Sequence, residues 1–353
     1  MKNKFLIGLL TVFAAIFTSI LLLNFSNSTS NKDNYFDRKF ATNTVLEFIN
    51  DYDKLDKKST YELCFSNTGI SEGNQNLFSK QKEYDLSFSD CSFKIRKNNI
   101  LKLPLESNIL MVDQNYVIYS LKSKLYQLDL NTNLTTKSKS QKIDISFLIS
   151  LKNLPNKYLF FGEVFHDNTH KSGFFTLDML TGKIIPSNVL KVDAENYNPE
   201  IITMHSGVFQ KLNDNSISYT CDKNPKVFLF SPNGIFEKQL ITNDNTPMPK
   251  IIKKSNGDCY FSRDGLGSTN SGIFTNKKNI FVFSMASQFK DKIVIDQYSK
   301  VNNNYIQSFK LHYKDHSNTD IVNVFIENNL IVLKFKSNYA SFKFSRYNDE
   351  NFY

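Results

Sequence analysis

Leu125–Lys137 reads LYQLDLNTNLTTK, and this strand–turn–strand stretch decides the fold because its pattern recurs along the chain. Similar runs in FFTLD, VFLFS and IFVFS give strand ends at Asp129, Asp178, Ser231 and Ser284, about 50 residues apart. The first three runs are followed by the turn sequences NTN, LTG and PNG and then by another strand-like run. A period of this length is typical of propeller blades, each a four-stranded antiparallel sheet covered by its neighbours.

The chain around these runs has the same character from about residue 59 onward. Short stretches rich in Phe, Tyr, Ile and Val alternate with Asn, Asp, Gly and Ser, which indicates antiparallel strands. Asn256-Gly257 lies between two such stretches and predicts a hairpin. Long helical periodicity is missing after residue 58, which argues against a parallel-sheet α/β enzyme. We therefore predict an all-β fold, a β-propeller of six four-stranded blades over residues 59–353.

Several units of the chain resemble six-bladed TolB-like and NHL-like propellers. The strand–turn–strand units are LYQLDLNTNLTTK (125–137), FFTLDMLTGKII (174–185) and VFLFSPNGIFEKQL (227–240), and KKSNGDCYFSRDG (253–265) resembles the hairpin that precedes such a unit. The resemblance covers most of residues 60–345 and implies a fold rather than a function. Known relatives are exported binding or scaffold proteins and, less often, calcium-dependent lactone hydrolases. The acidic-and-Asn set of the enzyme members has no counterpart that aligns here, so no catalytic residue is carried over.

The composition fits a chain with a large core. Of 353 residues, 41% are apolar and 22% are charged, which excludes a disordered chain, and only 12 are Gly, which disfavours Gly-rich phosphate loops. Trp is absent, so repeats that need a structural Trp are excluded. The net charge of +9 comes largely from lysines in turn-like segments, whereas a nucleic-acid surface needs a concentrated basic stripe. We predict no nucleic-acid partner, and attraction to anionic lipid headgroups or an acidic partner stays open.

The N-terminus predicts export. Lys2 and Lys4 precede an uncharged run from Phe5 to Phe25, which as a helix would span the roughly 30 Å of a bilayer core. The two lysines stay in the cytoplasm, so the rest of the chain lies outside it. Residues 1–25 are thus predicted to be a signal-anchor of a single-pass protein of the cytoplasmic membrane. The alternative is a cleaved signal peptide and a secreted or periplasmic chain, although its cleavage site would be poor.

Residues 26–58 are predicted to be a polar tether that contains a short amphipathic helix. Thr44 and Glu47 have the spacing of a capping box. The apolar residues of ATNTVLEFINDYDKL (41–55) then follow helical spacing at Val45, Phe48, Ile49, Tyr52 and Leu55.

The four cysteines are consistent with export. Cys64, Cys91, Cys221 and Cys259 are far apart and form no CxxC motif, which excludes a zinc ribbon or a thioredoxin-type site. All four are disulfide candidates in an oxidising compartment. Cys64–Cys91 is the favoured pair because both residues lie in short strand-like stretches close in sequence, and free buried thiols are the alternative.

Two histidine pairs with HxxxH spacing, His166/His170 and His312/His316, are the candidates for metal binding. On a helix this spacing would place both imidazoles on one face. Neither pair is HExxH, and both lie in Asn-, Asp-, Lys- and Ser-rich segments, so exposed loop histidines are the favoured interpretation and no metal is predicted. Asp129-Leu-Asn-Thr-Asn resembles a calcium loop only superficially and predicts a hairpin turn.

The predicted function is that of a non-enzymatic binding or scaffolding module outside the cytoplasm. An envelope protein or small ligand would bind at a rim of the propeller, and no cofactor is predicted, with calcium left open. The alternative is a lactonase-like, metal-dependent hydrolase at the channel mouth, with carboxylates such as Glu163, Asp113 or Asp264. The sequence contains no GxSxG elbow of a serine hydrolase. Ser262–Gly272 contains Gly265 and Gly267 but lacks the third glycine of a dinucleotide-binding fingerprint, so this segment is predicted to be a flexible loop and a binding edge. A sensor or assembly partner in an envelope complex is a third prediction.

Overall fold

The computed structural model divides the chain into two units, Met1–Asp37 and Arg38–Tyr353. Within the described residues no helix is long and apolar enough to cross a membrane. The predicted run from Phe5 to Phe25 lies outside the described residues, which are 36–43, 45–53, 61–63, 68–76, 81–89, 95–104, 106–112, 116–140, 142–152, 154, 156–166, 169–187, 189–190, 199–243, 249–255, 257–262, 269–284, 292–314, 316–317, 320–327, 330–335 and 338–344.

The second unit is all-β, and its described residues form six four-stranded antiparallel sheets, one two-stranded sheet and one short helix. The sheets follow one another along the chain. They are β2 (Tyr61–Leu63), β3 (Thr68–Asn76), β4 (Gln81–Ser89) and β5 (Ile95–Pro104); β6 (Asn108–Val112), β7 (Tyr116–Leu121), β8 (Lys124–Asp129) and β9 (Thr135–Lys137); β10 (Ile143–Ser150), β11 (Lys157–His166), β12 (Thr169–Asp178) and β13 (Ile184–Ser187); β14 (Gly207–Lys211), β15 (Ile217–Cys221), β16 (Lys226–Phe230) and β17 (Phe236–Ile241); the hairpin β18 (Ile251–Lys253) and β19 (Cys259–Phe261); β20 (Asn270–Thr275), β21 (Asn279–Ser284), β22 (Ile293–Ser299) and β23 (Tyr305–Leu311); and β24 (Ile321–Glu327), β25 (Leu330–Phe335), β26 (Asn338–Phe344) and β1 (Leu46–Asp53).

Consecutive sheets bury their faces against each other. Phe161 and Phe174 of the sheet β10–β13 pack on aromatic rings of the sheet β14–β17. The ring centroids are 5.3 Å apart for Phe161 and Tyr219, 4.9 Å for Phe174 and Tyr219, and 5.1 Å for Phe174 and Phe228. Similar apolar clusters join β6–β9 to β10–β13 and β20–β23 to the last sheet. The middle strands are therefore covered on both faces, and the fold has the organisation of a β-propeller.

The segment predicted as an amphipathic helix is instead the strand β1, so that prediction was wrong. β1 pairs antiparallel with β26 in the register Leu46↔Phe344 to Asp53↔Asn338, with a bulge between Phe48 and Asn50. The free edge of β26 supplies ladder hydrogen bonds that a short isolated helix lacks, and this tertiary pairing outweighs the helical spacing. The strand also belongs to the sheet assembly, so the β domain begins before residue 59. Thr44 and Leu55 lie outside the described residues.

A buried ion pair ties the residues before β1 to the sheet β20–β23. The Arg38 guanidinium donates to both carboxylate oxygens of Asp296, at 2.9 and 3.0 Å, and to the Ser284 hydroxyl at 2.8 Å. The side chains of Arg38 and Asp296 are each 1% exposed. The Ala41 N–H also donates to the Ser308 carbonyl at 2.8 Å. Residues 38–41 are therefore part of the β assembly rather than of a tether.

The fourth repeat that we predicted is out of register. Asp129, Asp178 and Ser231 all end or follow the third strand of a sheet, whereas Ser284 ends β21, which is a second strand. The equivalent residue of that sheet is Ser299, at the end of β22. The second strand β21 reads as a continuous apolar run, whereas the equally buried β22 contains Asp296, the partner of Arg38, so the apolar pattern selected the second strand.

The hairpin predicted at Asn256-Gly257 is confirmed, since β18 pairs with β19 and Gly257 has a φ of +93°. It does not open a four-stranded sheet as the resemblance implied. It contacts the short helix α1 (Pro199–Met204). The sheets β14–β17 and β20–β23 meet directly, because the Gln210 side-chain amide donates to the Ile273 carbonyl at 2.7 Å. The hairpin is thus an insertion between two packed sheets.

Candidate functional site

A capped turn joins the third and fourth strands in four of the sheets. In two of them an Asp carboxylate accepts two backbone N–H groups: Asp129 from Asn131 and Thr132, at 2.8 and 2.9 Å, and Asp178 from Leu180 and Thr181, both at 3.0 Å. These N–H donors, first those of Thr132 and Thr181, lower the pKa of the two carboxyls. The hairpin turn predicted at Asp129 is therefore confirmed.

In the other two turns a serine takes the place of the aspartate and accepts one backbone N–H. The Ser231 hydroxyl accepts the Ile235 N–H and the Ser299 hydroxyl accepts the Val301 N–H, both at 3.2 Å. All four turns contain a residue with positive φ near the end, a conformation that Gly and Asn adopt most readily. These residues are Asn133, Gly182, Gly234 and Asn303, with φ between +56° and +76°.

Two of the capped turns pack on the preceding sheet, and that of Gly182 packs on the connection between β9 and β10. A Cβ on Gly182 would lie 2.5 Å from the Lys139 carbonyl carbon, and one on Gly234 would lie 3.0 Å from the Leu151 side chain. In the fourth turn, the Asn303 side chain donates to the Gln239 carbonyl at 3.0 Å. The recurring motif therefore closes the boundary between neighbouring sheets, which explains why the sequence repeats it.

An open groove lies at one of these boundaries, between β10–β13 and β14–β17. Its volume is about 580 Å³, within the usual size range of ligand pockets. The apolar lining comes from the β10–β11 connection, from β12–β13 and from the capped turn of the next sheet: Leu151, Leu154, Leu177, Ile185, Pro186, Ile235 and Phe236. Ile185 and Ile235 are 50% and 67% exposed, so the groove presents apolar surface to solvent.

Two lysines give the rim of the groove a positive character. Lys157 lies close enough to Asp178 to contribute to the lowering of the pKa of that carboxyl. Lys183, also a lining residue, has no ion-pair partner in the part of the chain that the structure describes. The arrangement suits an apolar group that carries a carboxylate next to it.

The corresponding boundary between β14–β17 and β20–β23 is filled by polar side chains. The Lys238 ammonium donates to the Lys300 carbonyl, and the Lys300 ammonium pairs with Asp214 at 3.2 Å. Asn303 adds its bond to Gln239. The turn Pro232–Gly234 carries no such long side chains, which leaves the earlier boundary open.

Glu163, a carboxylate predicted for the hydrolase alternative, lies on β11 beside His170 of β12. His170 Nε2 is 3.1 Å from Glu163 Oε2, and the two side chains are 20% and 15% exposed. Burial raises the pKa of Glu163, and the neighbouring His170 opposes this rise. The His170 ring stacks on Phe165, with centroids 4.1 Å apart. The Ser172 side chain, opposite Glu163 on β12, lowers the pKa of that carboxyl, and Asp144, opposite it on β10, raises this pKa. Asp113 and Asp264 lie outside the described residues.

The predicted histidine pairs lie on strands and loops rather than on helices. His166 and His170 occupy neighbouring register positions of the β11–β12 hairpin, opposite Thr169 and Phe165. His312 is exposed, whereas His316 stacks on Phe335 with centroids 4.3 Å apart and lies 3.9 Å from Asp320. Exposure was thus wrongly predicted for His170 and His316, because both pack on Phe rings. Within the described ranges, no three His, Cys, Asp or Glu side chains form a metal-binding group.

Two of the four disulfide candidates can be located. Cys221 is buried on β15 and Cys259 is partly buried on β19, and both are free thiols. Burial raises the pKa of the Cys221 thiol, which makes it unreactive. Cys64 and Cys91, the favoured pair, lie outside the described residues, as do Gly265 and Gly267 of the predicted loop.

His205, a residue to which the sequence assigned no role, is buried where α1 meets β14. Its Nδ1 donates to the Ile201 carbonyl at 3.1 Å, and the Lys226 ammonium lies 3.5 Å from Nε2. Burial, helped by the nearby Lys226 charge, lowers the pKa of His205 to about 4, and the hydrogen bond to the Ile201 carbonyl opposes this fall. The neutral imidazole therefore holds α1 against the sheet.

The groove residues were missed at the sequence level. The turns LTG and PNG were recognised as turns, but their packing against a preceding sheet depends on contacts between residues far apart in sequence. A usable signal was the apolar residue after the glycine in PNGI, since an Ile at a tight turn has no local structural role.

No family model matches the chain, and no curated protein matches it. Among solved structures, the chain is similar to a protein of Bacteroides fragilis described provisionally as exported, with 12% identity over 87% of this chain and 98% of that one and a TM-score of 0.46. It is also similar to a member of the DUF4221 family from Bacteroides vulgatus, with 10% identity over 85% and 97% and a TM-score of 0.43.

A third similar structure is a catalytically inactive virginiamycin B lyase from Staphylococcus aureus with quinupristin. The identity is 10% over 84% of this chain and 98% of that one, and the TM-score is 0.35. All three TM-scores are below 0.5, so neither the activity nor the location of these proteins is transferred to this chain. The fold assignment rests on the sheet order and packing described above.

Proposed function

We propose that the chain is an exported, membrane-anchored binding module of the six-bladed propeller type, which holds a segment of a partner protein in the inter-sheet groove. The observation that carries the proposal is the groove between β10–β13 and β14–β17, with its half-exposed Ile185 and Ile235. The six four-stranded sheets of the described residues, and the position of β18–β19 as an insertion, support six blades. Export and anchoring rest on the apolar run Phe5–Phe25.

The chemistry of the groove indicates which segment would bind. An extended peptide with one aliphatic or aromatic side chain would bury it on Leu154, Ile185 and Phe236. An acidic residue next to it would meet Lys183. Burial of one such side chain contributes about 1.5–3 kcal/mol, which suits a reversible interaction with a flexible partner segment.

A peptide selection with a matched pair of variants tests this function. A random 12-residue peptide library is selected on the full chain, and the affinity of the recovered peptides is measured for Ile185→Asp and Ile241→Asp. Both isoleucines lie on the outermost strand of a sheet and are 50% and 58% exposed, but only Ile185 lines the groove. We expect the recovered peptides to share an apolar residue next to Asp or Glu.

Ile185→Asp should weaken these peptides about tenfold or more, because it places a charge on the apolar wall. Ile241→Asp should leave the affinity within about twofold, as expected for a surface change outside the site. Peptides without a shared pattern, or equal affinity of the two variants, would contradict the proposal. If no peptide is recovered and a small apolar dye binds the chain but not Ile185→Asp, the groove is a small-ligand site and the peptide proposal is wrong.

A further inference from the structure

The four capped turns each expose one aliphatic side chain. Leu134, Leu180, Ile235 and Val301 are 68%, 53%, 67% and 92% exposed. Single exposed apolar residues are common on protein surfaces, but these four recur in one structural motif of four different sheets. The exposure therefore belongs to the turn motif rather than to one particular sheet, although Ile235 also lines the groove.

Contacts between the sheets place these turns at one end of the strands. Gln127, near the end of β8, donates to Asn156 in the β10–β11 connection at 2.9 Å. The Lys152 N–H, in the β10–β11 connection, donates to the Pro232 carbonyl in the next capped turn at 3.3 Å. The Lys300 ammonium pairs with Asp214 of the β14–β15 connection at 3.2 Å. First-to-second and third-to-fourth connections of an antiparallel sheet lie at the same end of that sheet. We call this the turn end of the unit.

Lysines predominate among the exposed charges of the turn end. Those in the connections or directly beside them are Lys152, Lys157, Lys183, Lys277 and Lys278. Asp129 and Asp178 cap turns and Asp214 pairs with Lys300, but all three stay anionic, because their hydrogen bonds lower the pKa of each carboxyl. Together with the exposed Glu237 of β17 they offset part of the lysine charge. With Lys300 included, six lysines face four acids, so the surface combines separate aliphatic tips with a small excess of positive charge.

We infer that the turn end docks on an anionic lipid surface. The aliphatic tips would enter the boundary between headgroups and acyl chains, and the lysines would contact lipid phosphates. A protein interface needs a contiguous, closely packed apolar centre, whereas a fluid headgroup layer accommodates tips that are spread over four sheets. The inference shares Ile235, Lys157 and Lys183 with the groove, so its test substitutes none of the groove residues.

The absence of Trp from the chain allows single tryptophans to report on each end. The full chain carries Val301→Trp or Leu134→Trp at the turn end. Val322→Trp is the matched control, because Val322 is 54% exposed and lies at the start of β24, away from the β24–β25 connection. Each variant is reconstituted in nanodiscs of brominated phosphatidylcholine, with or without about 30% brominated phosphatidylglycerol as the anionic lipid.

We expect bromine to reduce the emission of Trp at 301 and 134 by about half in the anionic discs, with little change at 322 or in the neutral discs. The hydrophobic N-terminal run is common to all variants, so anchoring alone would quench the three positions alike and would overturn the inference. An absence of quenching at 301 and 134 would also overturn it. The inference would also be overturned if soluble polyglutamate shifted the emission of the tryptophans at 301 and 134 more than anionic discs do. That result would indicate an acidic protein partner.

Discussion

Asp129 and Asp178 illustrate how much a single side chain can specify in this protein. Each carboxylate accepts two backbone N–H groups and so fixes a turn, and each could be recognised from sequence because Asp before a Thr-Asn or Thr-Gly turn acts locally. The pairing of Glu163 with His170 could not be recognised in this way. The Glu163–His170 pairing depends on the register of β11 and β12, whereas the HxxxH spacing indicates only which residues would share a helix face.

His205 provides a prediction about pH. Its pKa is lowered to about 4 in the folded chain from 6.5, so between these values the unfolded chain binds more protons and acid favours unfolding. His205 should therefore make the folded state about 2 kcal/mol less stable at about pH 5 than at neutral pH. Denaturant unfolding at both pH values measures this difference.

His205→Asn is the control because it keeps an N–H donor for the Ile201 carbonyl and does not titrate. Other groups with shifted pKa values, such as Asp222 and Glu163, are the same in both proteins. The loss of stability on acidification should be smaller in the variant by about the amount given above. Equal losses in the two proteins would show that His205 is not buried in its neutral form.

At the scale of elements, the strands were predictable as a class and their places in the sheets were not. The aromatic and β-branched runs identified strands after residue 59. The confusion of Ser284 with Ser299 arose because β21 is a continuous apolar run, whereas the equally buried β22 contains Asp296. β1 was predicted to be a helix because its partner, β26, lies at the other end of the chain, where local spacing carries no information.

Gly182 tests whether the capped turns lock neighbouring sheets together. Gly182→Ala would combine a strained φ of +74° with a Cβ that meets the backbone of Lys139 and Ser140 at 2.5 and 2.6 Å. Gly257→Ala is the matched control, since its φ is +93° and no atom lies within 4 Å of the added Cβ. Denaturant midpoints of both variants give the comparison.

The left-handed φ alone costs about 1–2 kcal/mol, and both variants share this cost. Gly182→Ala should lose at least about 1 kcal/mol more, because a backbone contact can relax only if the turn moves away from the connection between β9 and β10. Equal losses of stability in the two variants would contradict the packing of the turn on that connection.

At the scale of the whole molecule, the repeat predicted the sheet class from a few strand ends. The count and order of the sheets required long-range contacts, such as that of Gln210 with Ile273, which place β18–β19 outside the packed sheets. The groove could not be predicted, because it arises where the short side chains of one turn leave open a boundary that Lys238 and Lys300 fill elsewhere.

The first strand, β1, completes the last sheet and so joins the N-terminal and C-terminal parts of the β assembly. Glu47 of β1 lies directly opposite Lys343 of β26, with 3.5 Å between their charged groups. Directly opposed residues have Cα atoms about 4.5–5.5 Å apart, within reach of a disulfide. Lys334 on β25 is two strands away from β1, roughly 10 Å, which is too far.

Oxidation of the Glu47→Cys/Lys343→Cys protein, followed by peptide mapping with mass spectrometry, measures this pairing directly and separates the new bridge from the native cysteines. We predict that a 47–343 bridge forms in the folded chain and that Glu47→Cys/Lys334→Cys gives none. Absence of the 47–343 bridge, or equal bridging of the two variants, would contradict the closure of the last sheet by β1.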